Sequence, residues 1–107
     1  MAIASVRILV AEDFAPFRRA VTLKLRKQSE FQIISEVSDG LEAVQKAKEL
    51  QPDLVLLDVG LPTLSGIEAA RRIRTVSPQS KIVFVSQEFA IDVVQAAKFE
   101  IIISGGS

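Results

Sequence analysis

Cysteine and histidine are both absent from the 107 residues of this chain. Without cysteine there are no disulfides and no thiol chemistry. Without histidine the commonest general base and the commonest transition-metal ligand are gone. An excess of either charge is missing too, because 13 Lys and Arg balance 13 Asp and Glu. That balance leaves no electrostatic footprint for nucleic acid or an anionic membrane. No apolar run approaches the ~20 residues that span a bilayer. The N-terminus also lacks the basic and long apolar segments of a signal peptide. A soluble, cytoplasmic protein is expected. Its chemistry is left to carboxylates, hydroxyls, lysines and backbone.

What is present is a packed core. The chain is 49% hydrophobic and 24% charged, too apolar for disorder, and its length is that of one domain. Strand-like and helix-like segments alternate along it. Strands are predicted at 6–11, 31–37, 54–58, 81–86 and 100–104. Helices are predicted at 14–27, from Asp39 to just before Pro52, at 65–76 and from Glu88 to about Lys98. In the first helix Phe14, Phe17, Val21 and Leu25 recur at helical spacing, with Pro16 suited to the first turn. Asp39 with Glu42, and Ser65 with Glu68, read as capping boxes. Leu41, Ala43, Val44, Ala47 and Leu50 supply one apolar face, and Ile67, Ala70, Ile73 and Val76 another. Arg71, Arg72 and Arg74 read as a solvated face. Strict alternation implies parallel strands, right-handed crossovers and helices on both faces of the sheet. Five strands call for a fifth helix, and the chain stops before one. The expectation is a fragment of a longer protein, or a face covered by a partner.

The most informative residue is Asp58. It ends the apolar run Leu54-Val55-Leu56-Leu57 and precedes the turn-like stretch 60–62. A buried strand thus delivers a carboxylate to its C-terminal mouth, where open α/β sheets place their ligands. The run at 6–11 ends the same way, in Glu12-Asp13. Three carboxylates at one sheet edge suggest a divalent cation site and a carboxylate nucleophile. Each residue alone has a plainer reading: Asp58 as a turn residue, Glu12-Asp13 as a helix cap, Ser86 as a small strand-end residue. Turn chemistry, however, does not call for three acids at one edge.

Glu12-Asp13 after the first strand, Asp58-x-x-x-Pro62 after the third, Gly66 opening the next helix and Ser86 ending the fourth strand form one set. Together they resemble the receiver domain of two-component response regulators. The wording of residues 66–74 (GIEAARRIR) and 84–87 (FVSQ) is most similar to the subfamily with a C-terminal helix-turn-helix output domain. The resemblance implies a single receiver domain over 1–107. Its fold would be a doubly wound, flavodoxin-like, five-stranded parallel sheet of order 2-1-3-4-5, with the fifth helix absent from this chain. It further implies that Asp58 is the phospho-acceptor. Asp13 would hold Mg²⁺ directly, Glu12 through water, and Gly60 through its backbone carbonyl, beside Asp58 itself. Ser86 would hydrogen-bond a phosphoryl oxygen. The implied donor is a sensor histidine kinase. A homodimer is a possible output, and DNA would be reached only through an output domain outside this chain. Such a protein catalyses its own phosphorylation but counts as a regulator rather than an enzyme.

The chain departs from the family at the expected fifth strand. The family places there a Lys that contacts the phosphoryl group and an aromatic switch residue. This chain has no Tyr, and Lys98 falls too early, in a predicted helix. Gln87 also follows Ser86 where the family has a small residue. A second reading is therefore a degenerate receiver that works only as an interaction or dimerisation module. A flavodoxin-like or dehalogenase-like phosphatase reading fits less well. The first strand leads into Ala11-Glu12-Asp13-Phe14 rather than a phosphate loop, and Gly60 stands where such a phosphatase needs a second Asp.

Overall fold

The computed structural model describes residues 5–86 and 94–98. Seven elements follow one another in the predicted order: β1 (Val6–Ala11), α1 (Ala15–Arg26), β2 (Phe31–Val37), α2 (Gly40–Leu50), β3 (Leu54–Asp58), α3 (Gly66–Val76) and β4 (Lys81–Val85). All strand pairs are parallel, and the described sheet has four strands in the order β2-β1-β3-β4. Residues 94–98 are helical, inside the predicted 88–98 helix, and Lys98 lies among them. The predicted fifth strand at 100–104, and with it the full order 2-1-3-4-5, falls outside the described residues.

Both faces of the sheet are covered. Leu9, Ala11, Val55 and Leu57 pack against Ala43 and Ala47 of α2 and Ala69, Ala70 and Ile73 of α3. Ile8, Val10, Leu54 and Leu56 pack against Val21 and Leu25 of α1 and against Ala97. Every residue of β3 is buried. This matches its unbroken apolar run, since a strand covered on both faces has no polar side to alternate with.

β2 carries a bulge. Ile8 pairs with Ile33 but Leu9 pairs with Ser35, so Ile34 is an extra residue in the ladder. A one-residue slip exchanges the faces of everything after it. Phe31 and Ile33 accordingly pack on the α1 side, whereas Val37 packs on the α2–α3 side. Glu36, paired with Val10, is thereby turned toward α1.

The helix starts follow their caps. Asp39 accepts the Glu42 N–H at 2.8 Å and Ser65 Oγ accepts the Glu68 N–H at 3.3 Å. α1 begins without a side-chain cap, on Phe14, with Pro16 in its first turn. Arg71 and Arg72 are exposed and pair with Glu68, as a solvated face should. Three residues assigned to apolar faces need correction. Phe14, Leu41 and Ile67 are each about half exposed, at 48%, 52% and 46%. Phe14 is the N-cap of α1, and Leu41 and Ile67 are each the second residue of their helices. The burial goes instead to Thr22, Ala69 and Gly66.

Candidate functional site

β1 and β3 are neighbours, with Ala11 opposite Leu57, so the residues that follow them share one edge. Glu12 is held there by its backbone N–H, which donates to Val37 O at 3.0 Å. Its side chain is almost fully buried, 1% exposed. One carboxylate oxygen, Oε2, accepts the Phe14 N–H at 2.9 Å. The other, Oε1, is buried with no hydrogen-bond partner among the described residues. Asp58, 8% exposed, lies at the end of β3 and accepts from the Gly60 amide. Asp13 is exposed. One carboxylate oxygen from each of Glu12, Asp13 and Asp58 can be chosen so that all lie within 4.8 Å of one another.

No cation offsets this charge: among the described residues, none of the three acids belongs to a salt bridge. The electrostatic consequence is a pair of raised pKa values. Burial pushes the Glu12 carboxyl up to about 7, opposed by the Phe14 amide and reinforced by the charge of Asp58. Burial also raises Asp58, opposed by the Gly60 amide and reinforced by the charge of Asp13. Both shifts have the sign expected for desolvated, like-charged carboxylates.

A hard divalent cation fits this donor set. Mg²⁺ takes oxygen ligands and settles for a few carboxylates plus water or phosphate oxygens. Buried polar atoms in folded proteins are almost always partnered, and a bound cation would partner the Glu12 Oε1 that has no hydrogen bond among the described residues.

The loop between β3 and α3 is clamped over the same edge. Gly66 donates to Val59 O at 2.9 Å. A Cβ on Gly66 would overlap the carbonyl of Asp58 and approach Val59 Cα to 2.8 Å. Glycine is therefore required for α3 to start this close to the nucleophile candidate. Pro62 O accepts from Leu64 N–H (2.7 Å), Thr63 Oγ1 (2.7 Å) and Gly40 N–H (3.1 Å). Thr63, at φ 63°, closes a three-residue turn in the left-handed region, which a β-branched side chain enters at a cost.

Of the residues predicted for the site, Glu12, Asp13 and Asp58 converge. Gly60 stands beside them, with its amide on Asp58. Ser86 follows Val85, the register partner of Asp58, and is half-buried at the same edge. Two residues carried no role in the sequence reading. Gly40 abuts Leu64 and receives the loop, and its place directly after an N-cap Asp was the available signal. Arg18 donates to the Glu12 carbonyl at 2.7 Å. Nothing in its local sequence marks it out.

Comparison with known proteins adds a family. A family model for the response regulator receiver domain matches residues 8–102. The chemotaxis protein CheY of Bacillus subtilis is 34% identical over 101 residues, 91% of this chain and 83% of that protein. A protein-glutamate methylesterase/protein-glutamine glutaminase of Colwellia psychrerythraea is 42% identical over 80 residues, 75% of this chain but 21% of that protein. The receiver domain of a Pseudomonas aeruginosa sensor histidine kinase, solved with a magnesium ion in its active-site cleft, superposes with a TM-score of 0.71. It is 26% identical, covering 95% of this chain and 80% of that one. The helix-turn-helix subfamily is not singled out, because similar proteins include chemotaxis regulators and a methylesterase.

Proposed function

This chain belongs to the response regulator receiver domain family, and on that premise we propose that it is a phospho-accepting switch with Asp58 as the acceptor. The observation that carries the proposal is the buried, unpartnered Glu12 Oε1 in a group of three acids that includes Asp58. A cluster of this kind costs the fold stability while nothing is bound, whereas a cation and a phosphoryl group would satisfy it.

In the proposed reaction an Asp58 carboxylate oxygen attacks the phosphorus of a phosphohistidine on a sensor kinase. The new O–P bond forms as the P–N bond breaks, and the departing imidazole nitrogen keeps the electron pair. Water later attacks the same phosphorus, releasing inorganic phosphate and restoring the carboxylate. Glu12, Asp13, Asp58 and the Gly60 carbonyl would hold Mg²⁺. When bound, that ion supplies positive charge between two anionic reactants that otherwise repel. The Gly60 amide orients Asp58, and Ser86 would hydrogen-bond a phosphoryl oxygen. The protein itself is a regulator that catalyses its own modification. Its output would be a changed surface governing dimerisation or a transcriptional domain outside this chain. The wording of residues 66–74 and 84–87 supports a helix-turn-helix output. A parent gene lacking one would contradict it.

One observation favours the second reading, an interaction module without phosphorylation. The described lysines stand in or at the end of helices, or at the start of β4, and none follows a strand. The test is intact mass after incubation with acetyl phosphate, with and without Mg²⁺, for the native protein and for Asp58→Ala. One phosphoryl adduct that needs both Mg²⁺ and Asp58 supports the switch. A folded protein that takes no adduct leaves the interaction module.

A further inference from the structure

Arg18 sits in the first turn of α1, with its side chain only 24% exposed. Its Nη1 donates to the carbonyl oxygen of Glu12 at 2.7 Å. Its Nε lies 3.4 Å from Glu36 Oε1, and the other oxygen of Glu36 is 3.3 Å from Arg26 Nη2. One guanidinium therefore ties the backbone of the acid turn to the edge strand of the sheet. Glu36 can take part only because of the bulge at Ile34. Before the bulge, Phe31 and Ile33 face α1. With no extra residue, Glu36 would face α2 and Arg18 would have no anchor on β2. Bulges near functional sites commonly re-aim one side chain in this way.

We infer that Arg18, anchored by Glu36, is a positioning residue for the cation site. It holds the Glu12–Asp13 turn so that both carboxylates enter the mouth together, and it does so without touching the ion. The inference rests on the cation reading given above. The effect is geometric rather than electrostatic. The leading causes of the shifts at Glu12 and Asp58 are burial, backbone amides and the acids themselves, and Arg18 is not among them. The turn is short, and the remaining backbone bond at Glu12 runs to Val37 O on the other side. Loss of the guanidinium would leave the carbonyl free to rotate and carry Asp13 with it.

The test is calorimetric titration with Mg²⁺ of the native chain and of Arg18→Ala, Arg18→Lys, Glu36→Gln and Arg26→Ala, each checked for a folded far-UV spectrum. Arg18→Ala should weaken Mg²⁺ binding about tenfold, as loss of an outer-shell partner commonly does. Arg18→Lys, with one donor site instead of a fork, should fall in between. Glu36→Gln should lose part of the affinity. Arg26→Ala, which strips Glu36 of its other partner but leaves Glu12 alone, should bind as the native chain does. Native binding with an unchanged affinity in folded Arg18→Ala would overturn the inference and leave the cation reading intact. Absence of Mg²⁺ binding by the native chain would instead overturn the cation reading itself, and the role of Arg18 with it.

Discussion

The two edges of the sheet handle polar groups in opposite ways. At the edge where the strands begin, Arg7 donates to the carbonyls of Leu50 and Gln51, at 2.8 and 2.9 Å, and closes the C-terminus of α2. Its backbone N–H meets Asp53 Oδ2 at 2.8 Å. Gln51 Nε2 reaches across to Val76 O at 2.9 Å. The buried hydroxyls of Ser77 and Ser80 bond one another at 2.6 Å, and Ser80 Oγ donates to Pro52 O. A cation on orphan carbonyls and paired hydroxyls under the core are both stabilising arrangements. At the edge where the strands end, three acids gather with no cationic side chain paired to them and one buried oxygen without a hydrogen bond, among the described residues. The difference separates an edge whose polar groups are paired from an edge that gathers like charges.

The sharpest break in that comparison comes at Gly66. A methyl group there has only backbone to displace, at the carbonyl of Asp58. Gly66→Ala is expected to cost ~4 kcal/mol or prevent folding. Denaturant unfolding, set against Gly60→Ala where a Cβ meets open space, measures the contrast.

Next in size is the pH response of the acidic edge without a divalent cation. Glu12 is raised from 4.5 to about 7 in the folded chain. Between those values the folded state keeps a proton that the unfolded state has released. This group's contribution to stability is then full below pH 4.5 and falls as pH rises toward 7, by about 3 kcal/mol at ~1.4 kcal/mol per unit. Glu12→Gln should flatten that stretch of the curve and be more stable than the native chain at neutral pH. Unfolding free energies measured across the range decide it.

A smaller effect is expected at the opposite edge. Arg7→Met keeps the aliphatic stem but leaves two helix-end carbonyls without their donor, for about 2 kcal/mol. It should do so at every pH in the same window, and leave Mg²⁺ affinity unchanged. Parallel unfolding and titration of this variant sharpen the comparison, because only one edge should respond to each perturbation.

The local parts of this account were legible in the sequence. The order of the seven described elements, the buried third strand and the convergence of Glu12, Asp13 and Asp58 all follow from periodicity and from what ends each apolar run. The caps at Asp39 and Ser65 were legible for the same reason. What could not be read depends on distant residues or on phase. Arg7 and Gln51 are 44 positions apart. Gln51 adopts φ 48° as the cap of α2 with no glycine to announce it. The bulge at Ile34 lies in a strand with no Gly or Pro to mark it, so the reversal of Glu36 was hidden. Leu41 and Ile67 fit the apolar spacing, but they lie in first turns and are about half exposed. Arg18 could be found only once the bulge had placed Glu36 opposite it.

The most direct measurement is the thermal unfolding midpoint at neutral pH with and without saturating Mg²⁺, for the native chain and for Asp13→Asn with Asp58→Asn. The account predicts a clear rise with Mg²⁺ in the native chain, because the cation offsets charge that the fold carries uncompensated. In the double variant it predicts a higher starting midpoint and little further rise. A native midpoint indifferent to Mg²⁺, or a double variant less stable than the metal-free native chain, would contradict it.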